Sequence, residues 1–213
     1  MHIFSEAVPP FFKNGYLVTC DETRDAVLID PGDEVDMLVA EARAARSNVT
    51  AILLTHAHID HITGVGRAKK AFDVPIWLHR DDLFFYDGVV EQGQMFGIRA
   101  ERQPPVTNFY EPNQQLSFGR YVVDVSHTPG HAPGGVCLAI GAADASERAL
   151  FVGDTLFAGS IGRTDLPGGD YDTLTAAIRD VLFAFSDEFI VYPGHGPQTT
   201  IGAERRTNPF LRP

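Results

Sequence analysis

Cysteine is scarce in this sequence. Cys20 and Cys137 are the only two among 213 residues and they form no Cys-x-x-Cys pair, so no disulfide framework is indicated. Cys137 lies in the apolar run Gly135-Val136-Cys137-Leu138-Ala139-Ile140, where a buried, inert thiol is expected. Basic residues are also few, 17 Lys and Arg against 28 Asp and Glu, for a net charge of −11. A surface of that sign repels phosphate backbones and anionic lipids, which argues against nucleic acid or a membrane surface as partner. An anionic substrate must then be steered by local positive charge, a bound metal included. No apolar run approaches the roughly 20 residues of a membrane span. Met1-His2-Ile3-Phe4-Ser5-Glu6 has no basic segment leading into an apolar one, so no signal peptide is expected and the location expected is cytoplasmic. Low-complexity tracts, long linkers and internal repeats are missing as well. What remains, 44% hydrophobic residues in a chain of this length, suits one globular domain or two fused halves with a shared core.

Short β-type runs recur at 16–19, 26–29, 51–54, 76–78, 121–125, 136–140, 150–152 and 189–192, each bounded by Gly, Pro or Asp. Several are apolar throughout, as strands covered on both faces are. Helical spacing follows Asp33, a candidate cap (Val35, Leu38, Val39, Ala42), and Asp170 (Leu174, Ala177, Ile178, Val181, Leu182, Phe185). A third helix is expected just after His61, residues 80–96 read equally as helix or loop, and 101–115 as an irregular connection. Strands alternating with helices indicate an α/β architecture. Four strands run directly into polar loops: 51–54 into Thr55-His56, 121–125 towards His127 and His131, 150–152 into Gly153-Asp154, and 189–192 into Pro193-Gly194-His195. In open α/β sheets the carboxyl ends of strands are where ligands bind.

Thr55-His56-Ala57-His58-Ile59-Asp60-His61 packs three imidazoles and a carboxylate into one loop. With 8 histidines in 213 residues, three at fixed offsets arise by chance at about one position in twenty thousand. Residues two apart in an extended loop point the same way, so His56 and His58 can share one metal, while a turn at Asp60-His61 serves a second nearby. Four ligands cannot fill two coordination spheres, and His131, Asp154 and His195 on the other loops supply the rest. A glycine beside each lets the backbone approach the metals closely. His2 is expected to be non-functional, His79 to be a loop or helix-cap residue, and His127 to brace a loop or stand behind the ligands.

These motifs, with Val27-Leu28-Ile29-Asp30-Pro31-Gly32 ahead of them, resemble the metallo-β-lactamase superfamily over essentially the whole chain. The resemblance implies a single domain over 1–213 with a four-layer αβ/βα sandwich and its site at the edge between two sheets. It assigns His56, His58 and His131 to one metal, Asp60, His61 and His195 to the other, Asp154 as the bridge, and Asp30 to orienting the metal loop. Up to two Zn2+ are expected, with iron or manganese as alternatives. Phe157-Ala158-Gly159-Ser160-Ile161-Gly162-Arg163-Thr164-Asp165 and Tyr192-Pro193-Gly194-His195-Gly196-Pro197 are similar to the short glyoxalase II-type hydrolases, as is Glu204-Arg205-Arg206-Thr207-Asn208-Pro209-Phe210. That similarity implies hydrolysis of a thioester such as S-lactoylglutathione by a metal-bound hydroxide, with Asp60 orienting the hydroxide and Arg163 binding the small anionic substrate. Longer glyoxalase II enzymes carry a C-terminal helical domain, not expected here, and a Tyr where this chain has Pro197, so selectivity for glutathione is expected to be loose.

Other readings remain. A persulfide (sulfur) dioxygenase holds one iron on the equivalents of His56, His131 and Asp154, a two-His, one-carboxylate set suited to O2 chemistry. Pro-Gly-His-Gly around His195 favours the hydrolase. A lactonase and a non-catalytic metal-binding protein rank below both.

Overall fold

The structure, a computed structural model, describes residues 1–112, 114–143 and 148–212. Each of the eight apolar runs forms a strand, and the strands build two six-stranded sheets. The first sheet holds β1 (His2–Val8), β2 (Lys13–Thr19), β3 (Asp25–Ile29), β4 (Asn48–Leu53), β5 (Ile76–Leu78) and β6 (Asn108–Phe109) in that order. Its pairing is antiparallel from β1 to β3 and parallel from β3 to β6. The second sheet uses β7 (Gln115–Phe118), β8 (Tyr121–His127), β9 (Val136–Ala142) and β10 (Ala149–Gly153). A small ribbon, β11 (Leu156–Phe157) with β12 (Ser160–Ile161), intervenes before β13 (Ile190–Pro193) and β14 (Thr199–Thr200) complete the second sheet in the order β14-β13-β10-β9-β8-β7.

Period-two alternation explains why these strands read as apolar on both faces. In β2, Leu17 packs outward with Val35, Leu38 and Ala42 of helix α1 (Val35–Ala44), whereas Tyr16 and Val18 face the second sheet. In β9, Val136, Leu138 and Ile140 face the first sheet, while Cys137 and Ala139 pack outward with Leu174 and Ile178. Those partners lie on α6 (Tyr171–Asp180), which with α7 (Ile201–Thr207) covers the second sheet. The first sheet is covered by α1, the single turn α2 (Ile59–Ile62), α3 (Val65–Phe72), α4 (Leu83–Asp87) and α5 (Val89–Phe96). Helix, sheet, sheet, helix: the expected four-layer αβ/βα sandwich. Each fully buried Leu or Ile, such as Leu17, Leu28, Leu38 and Ile52, stabilises it by about 1.5–3 kcal/mol.

Three local expectations need correction. Asp33 does not cap α1; the cap position is Glu34 without a side-chain bond, and Asp33 instead accepts from the Thr63 hydroxyl at 2.8 Å. The apolar stripe after Asp170 outruns its helix, which ends at Asp180, so Leu182 is buried from a 3-10 turn (Leu182–Ala184). Asp170 itself caps α6 through Thr173 N–H at 2.7 Å. The helix after His61 is interrupted at Thr63-Gly64, leaving His61 on the single turn of α2. Residues 80–96 resolve into a 3-10 turn (Arg80–Asp82) followed by α4 and α5. Within 101–115, where Asn113 lies outside the described residues, β6 is a short strand that the sequence did not announce.

Candidate metal centre

The loops that follow β4, β8, β10 and β13 meet at one edge of the sandwich. They bring one donor atom each of His56, His58 and His131 within 4.8 Å of one another, and do the same for Asp60, His61 and His195. The resemblance assigns each of these groups to one metal. Asp154 lies between them, its Oδ1 3.3 Å from His61 Nε2 and its Oδ2 3.6 Å from His131 Nε2 and 3.5 Å from His195 Nε2.

The outer nitrogen of three imidazoles is held by a protein partner, which fixes ring and tautomer. Thr55 Oγ1 donates to Asp30 Oδ2 at 2.6 Å and so accepts from His56 Nδ1 at 3.1 Å. His61 Nδ1 donates to the same Asp30 oxygen at 3.0 Å, and His131 Nδ1 to the Arg163 carbonyl at 2.8 Å. The lone pairs of His56 Nε2, His61 Nε2 and His131 Nε2 therefore face inward, and His58 Nδ1 approaches His131 Nε2 to 2.8 Å. His195 Nε2 lies 3.1 Å from Asp60 Oδ2. Asp30 is the orienting group expected of it, accepting also from Thr55 N–H at 2.7 Å.

Electrostatics divides the centre. Burial, reinforced by neighbouring imidazoles, holds His58 near about 3 and His56 well below its ordinary value, and burial also lowers His131. Those rings are neutral at physiological pH. Burial acts in the same direction on His61, but Asp60, Asp154 and Asp30 overcome it and raise His61 to about 10, so without a cation its Nε2 holds a proton that a bound ion would displace. Burial likewise opposes ionisation of Asp60 and Asp154, yet His61 keeps both below the ordinary carboxylate range. The half of the centre built from Asp60, His61 and Asp154 thus stabilises positive charge. Facing the centre, Nε2 of His56 and His61 and Oδ1 of Asp154 are buried without a hydrogen-bond partner. Unpaired buried polar atoms cost about 1–3 kcal/mol each, and a divalent cation would satisfy them. This mixture of nitrogen and oxygen donors fits Zn2+, Fe or Mn.

Two residues that the motifs did not reveal hold the loops in place. Asp82, fully buried, accepts from Ala57 N–H at 2.8 Å and Gly134 N–H at 2.5 Å, tying the His56–His58 stretch to the loop after His131. Gln92 of α5 accepts from Ile59 N–H at 3.0 Å and donates to the carbonyls of Ala57 and Phe85 at 3.0 and 2.8 Å. Neither belongs to a run with recognisable chemistry; the one signal is a charged or amide residue beside buried apolar neighbours. The glycines also differ in role. A Cβ on Gly194 would stand 2.1 Å from Asp154 Oδ1, so Gly194 serves close approach. Gly130, at φ 121°, meets instead the backbone nitrogen of Leu174 at 2.3 Å, because it packs under α6.

Arg163 lines the cavity over the centre, with its Nε and Nη2 each 2.7 Å from a carboxylate oxygen of Asp165. His79 and His127 stand apart from the centre, their rings stacked at 4.3 Å; His79 accepts from Asp81 N–H at 3.3 Å and His127 contacts the Pro133 carbonyl at 2.8 Å. His2 is exposed on β1. No helix among the described residues is long and apolar enough to cross a membrane.

Residues 8–195 match the metallo-beta-lactamase superfamily. A hydroxyacylglutathione hydrolase, GloC, of Haemophilus influenzae is 38% identical over 99% of this chain and 98% of its own. Among solved structures, the BLEG-1 B3 metallo-beta-lactamase is 34% identical with a TM-score of 0.90, each chain covered completely. TTHA1623 in a di-iron-bound form is 42% identical with a TM-score of 0.85, over 98% of this chain and all of that one. ETHE1 from Myxococcus xanthus is 26% identical with a TM-score of 0.80, over 98% of this chain and 84% of its own. With its fold, its clustered donors and full-length relatives in agreement, the chain belongs to the metallo-β-lactamase superfamily.

Proposed function

We propose that this metallo-hydrolase cleaves a thioester of the hydroxyacylglutathione type at a two-metal centre. The observation that carries the reading is Asp154, whose two oxygens reach both donor groups at once. The full-length similarity to a hydroxyacylglutathione hydrolase supports the substrate class. His56, His58 and His131 would hold one ion, Asp60, His61 and His195 the other, and Asp154 both. When bound, the ions supply a polarised carbonyl and a water whose pKa falls from 15.7 toward about 7.

The residues of the chain do the rest. Asp60 places Oδ2 3.1 Å from His195 Nε2, leaving Oδ1 to orient the attacking water. Asp30 and Thr55 keep the imidazoles in register. No Tyr, Lys or Glu is among the described residues lining the cavity, so no strong general acid faces the leaving group. A thiolate fits that arrangement, because a Cys-like thiol with a pKa near about 8.5 departs without one. Arg163, with Nη1 not engaged by Asp165, is the cation at the cavity wall and the proposed contact for an anionic substrate.

The similarity to ETHE1 from Myxococcus xanthus supports a second reading, a persulfide dioxygenase using one iron on His56, His131 and Asp154. Purified protein assayed for thiol release from S-lactoylglutathione and for oxygen uptake with glutathione persulfide separates the two. Thiol release without oxygen uptake is expected; persulfide-dependent oxygen uptake without thioester cleavage would overturn the hydrolase.

A further inference from the structure

Beyond the metal centre the cavity turns apolar. The space over the metals, about 190 Å³, is walled by Phe11, Phe96 and Leu166 opposite the His and Asp donors. It shares His58, Gln92, Phe96 and Leu166 with a 40 Å³ neck that adds Phe85, Met95 and Pro167. The neck shares Phe85, Gln92, Met95 and Pro167 with an open trough of 630 Å³, reached past Phe84. The three spaces adjoin one another in sequence from the donor cluster outward, sharing these walls.

The chemistry along that path is consistent. Phe84 is 79% exposed, Met95 68% and Phe96 41%, and contiguous exposed apolar side chains mark a binding surface. Phe11 meets Phe96 edge to face at 6.0 Å, and Phe85 packs between Phe84 and His58 at 5.6 and 5.4 Å. Gln92 spends its amide on Ile59, Ala57 and Phe85, leaving little hydrogen bonding for a ligand. No Lys or Arg is among the described residues of the neck or trough, where Asp87 and Glu91 are the charged residues of the lining. Arg163, back at the metals, is half neutralised by Asp165. A carrier with several carboxylates or phosphates finds no complement there.

We infer that the preferred substrates are thioesters with an uncharged, extended apolar chain, which runs from the metal centre through the Phe85–Met95–Leu166 neck into the trough. This rests on the thioesterase reading and changes its substrate, ranking chain thioesters above S-lactoylglutathione. The chain belongs either to the acyl group or to the thiol. Each methylene buried is worth about 0.8 kcal/mol, a two- to fourfold gain in kcat/KM.

The test measures kcat/KM with the metal-loaded enzyme on two series: acetyl to octanoyl thioesters of N-acetylcysteamine, and acetyl thioesters of ethanethiol to octanethiol. Wild type is compared with Met95→Gln and Phe84→Gln. Binding of S-octyl-N-acetylcysteamine, a thioether that cannot be cleaved, is followed by calorimetry. A rise of tenfold or more along one series, reduced at least threefold in Met95→Gln, supports the inference and identifies which side of the thioester occupies the neck. If no thioester is cleaved but the thioether binds with an affinity that Met95→Gln lowers, the apolar subsite stands and the thioesterase reading fails. Flat profiles with S-lactoylglutathione preferred tenfold overturn the subsite and leave the thioesterase intact. A dimer that Met95→Gln dissociates without altering the chain-length profile would show that the patch serves a second copy, and would also overturn it.

Discussion

Nδ1 of His131 lies 2.8 Å from the carbonyl oxygen of Arg163, while the Arg163 guanidinium turns outward to Asp165. The residue therefore serves the centre through its backbone and, under the proposed function, would serve the substrate through its side chain. Arg163→Ala retains the carbonyl, so metal content should stay at the wild-type level. KM for S-lactoylglutathione should rise by up to about fivefold with kcat little changed, since an exposed ionic contact is worth at most about 1 kcal/mol. Steady-state kinetics with metal analysis checks both; a fall in metal content or in kcat would refute the division of labour.

Asp82 acts on the metals from a distance. Replacing it by Ala strands the N–H groups of Ala57 and Gly134 in the interior. That should cost about 1–3 kcal/mol per group and weaken metal binding by about 10–100-fold. It also carries a pH signature. Burial raises Asp82 to about 6, above the unfolded value of about 3.9. The folded state then binds the proton more tightly, so the contribution to stability is full below the unfolded pKa and is lost as pH rises through about 6. Between about pH 5 and 7 the loss is roughly 1 kcal/mol. Urea unfolding of metal-free wild type should show this slope, and Asp82→Asn, which cannot titrate, should lack it. Parallel slopes would mean that Asp82 does not titrate in that window.

Two glycines separate structural from functional constraint. The Cβ of Gly194→Ala would collide with Asp154 Oδ1 and stand 2.8 Å from His61 Cε1. Metal affinity should fall at least about tenfold with the melting temperature of the metal-free protein little changed. Gly130→Ala should do the reverse, lowering stability through its positive φ and the backbone of Leu174. Metal titration and thermal melts of the two variants give the comparison; identical profiles would contradict it.

The sandwich was legible because its strands are covered twice. Runs such as Val136 to Ile140 face one core at even positions and another at odd ones, and so read as apolar without a break. β1 was not legible: at the sheet edge its residues are only partly buried, and its alternation is blurred by Ser5 and Glu6. The metal residues stood out because several donors must fall in one short loop. Asp82 and Gln92 could not, since each reaches the backbone of that loop from 25 and 35 residues away and binds groups common to all sequences. The capping role expected of Asp33 failed because Thr63, distant in sequence, claims its carboxylate.

The proposed two-metal centre stands on one carboxylate, Asp154, whose oxygens reach both donor groups. It is tested most directly by metal content after saturation with Zn2+ and removal of excess, measured by plasma mass spectrometry on wild type and Asp154→Ala. Wild type should retain two ions per chain, and the variant should lose more than one, because the carboxylate that reaches both donor groups is gone. Equal stoichiometry in the two proteins, or a wild type that retains no transition metal with its donors intact, would contradict the claim.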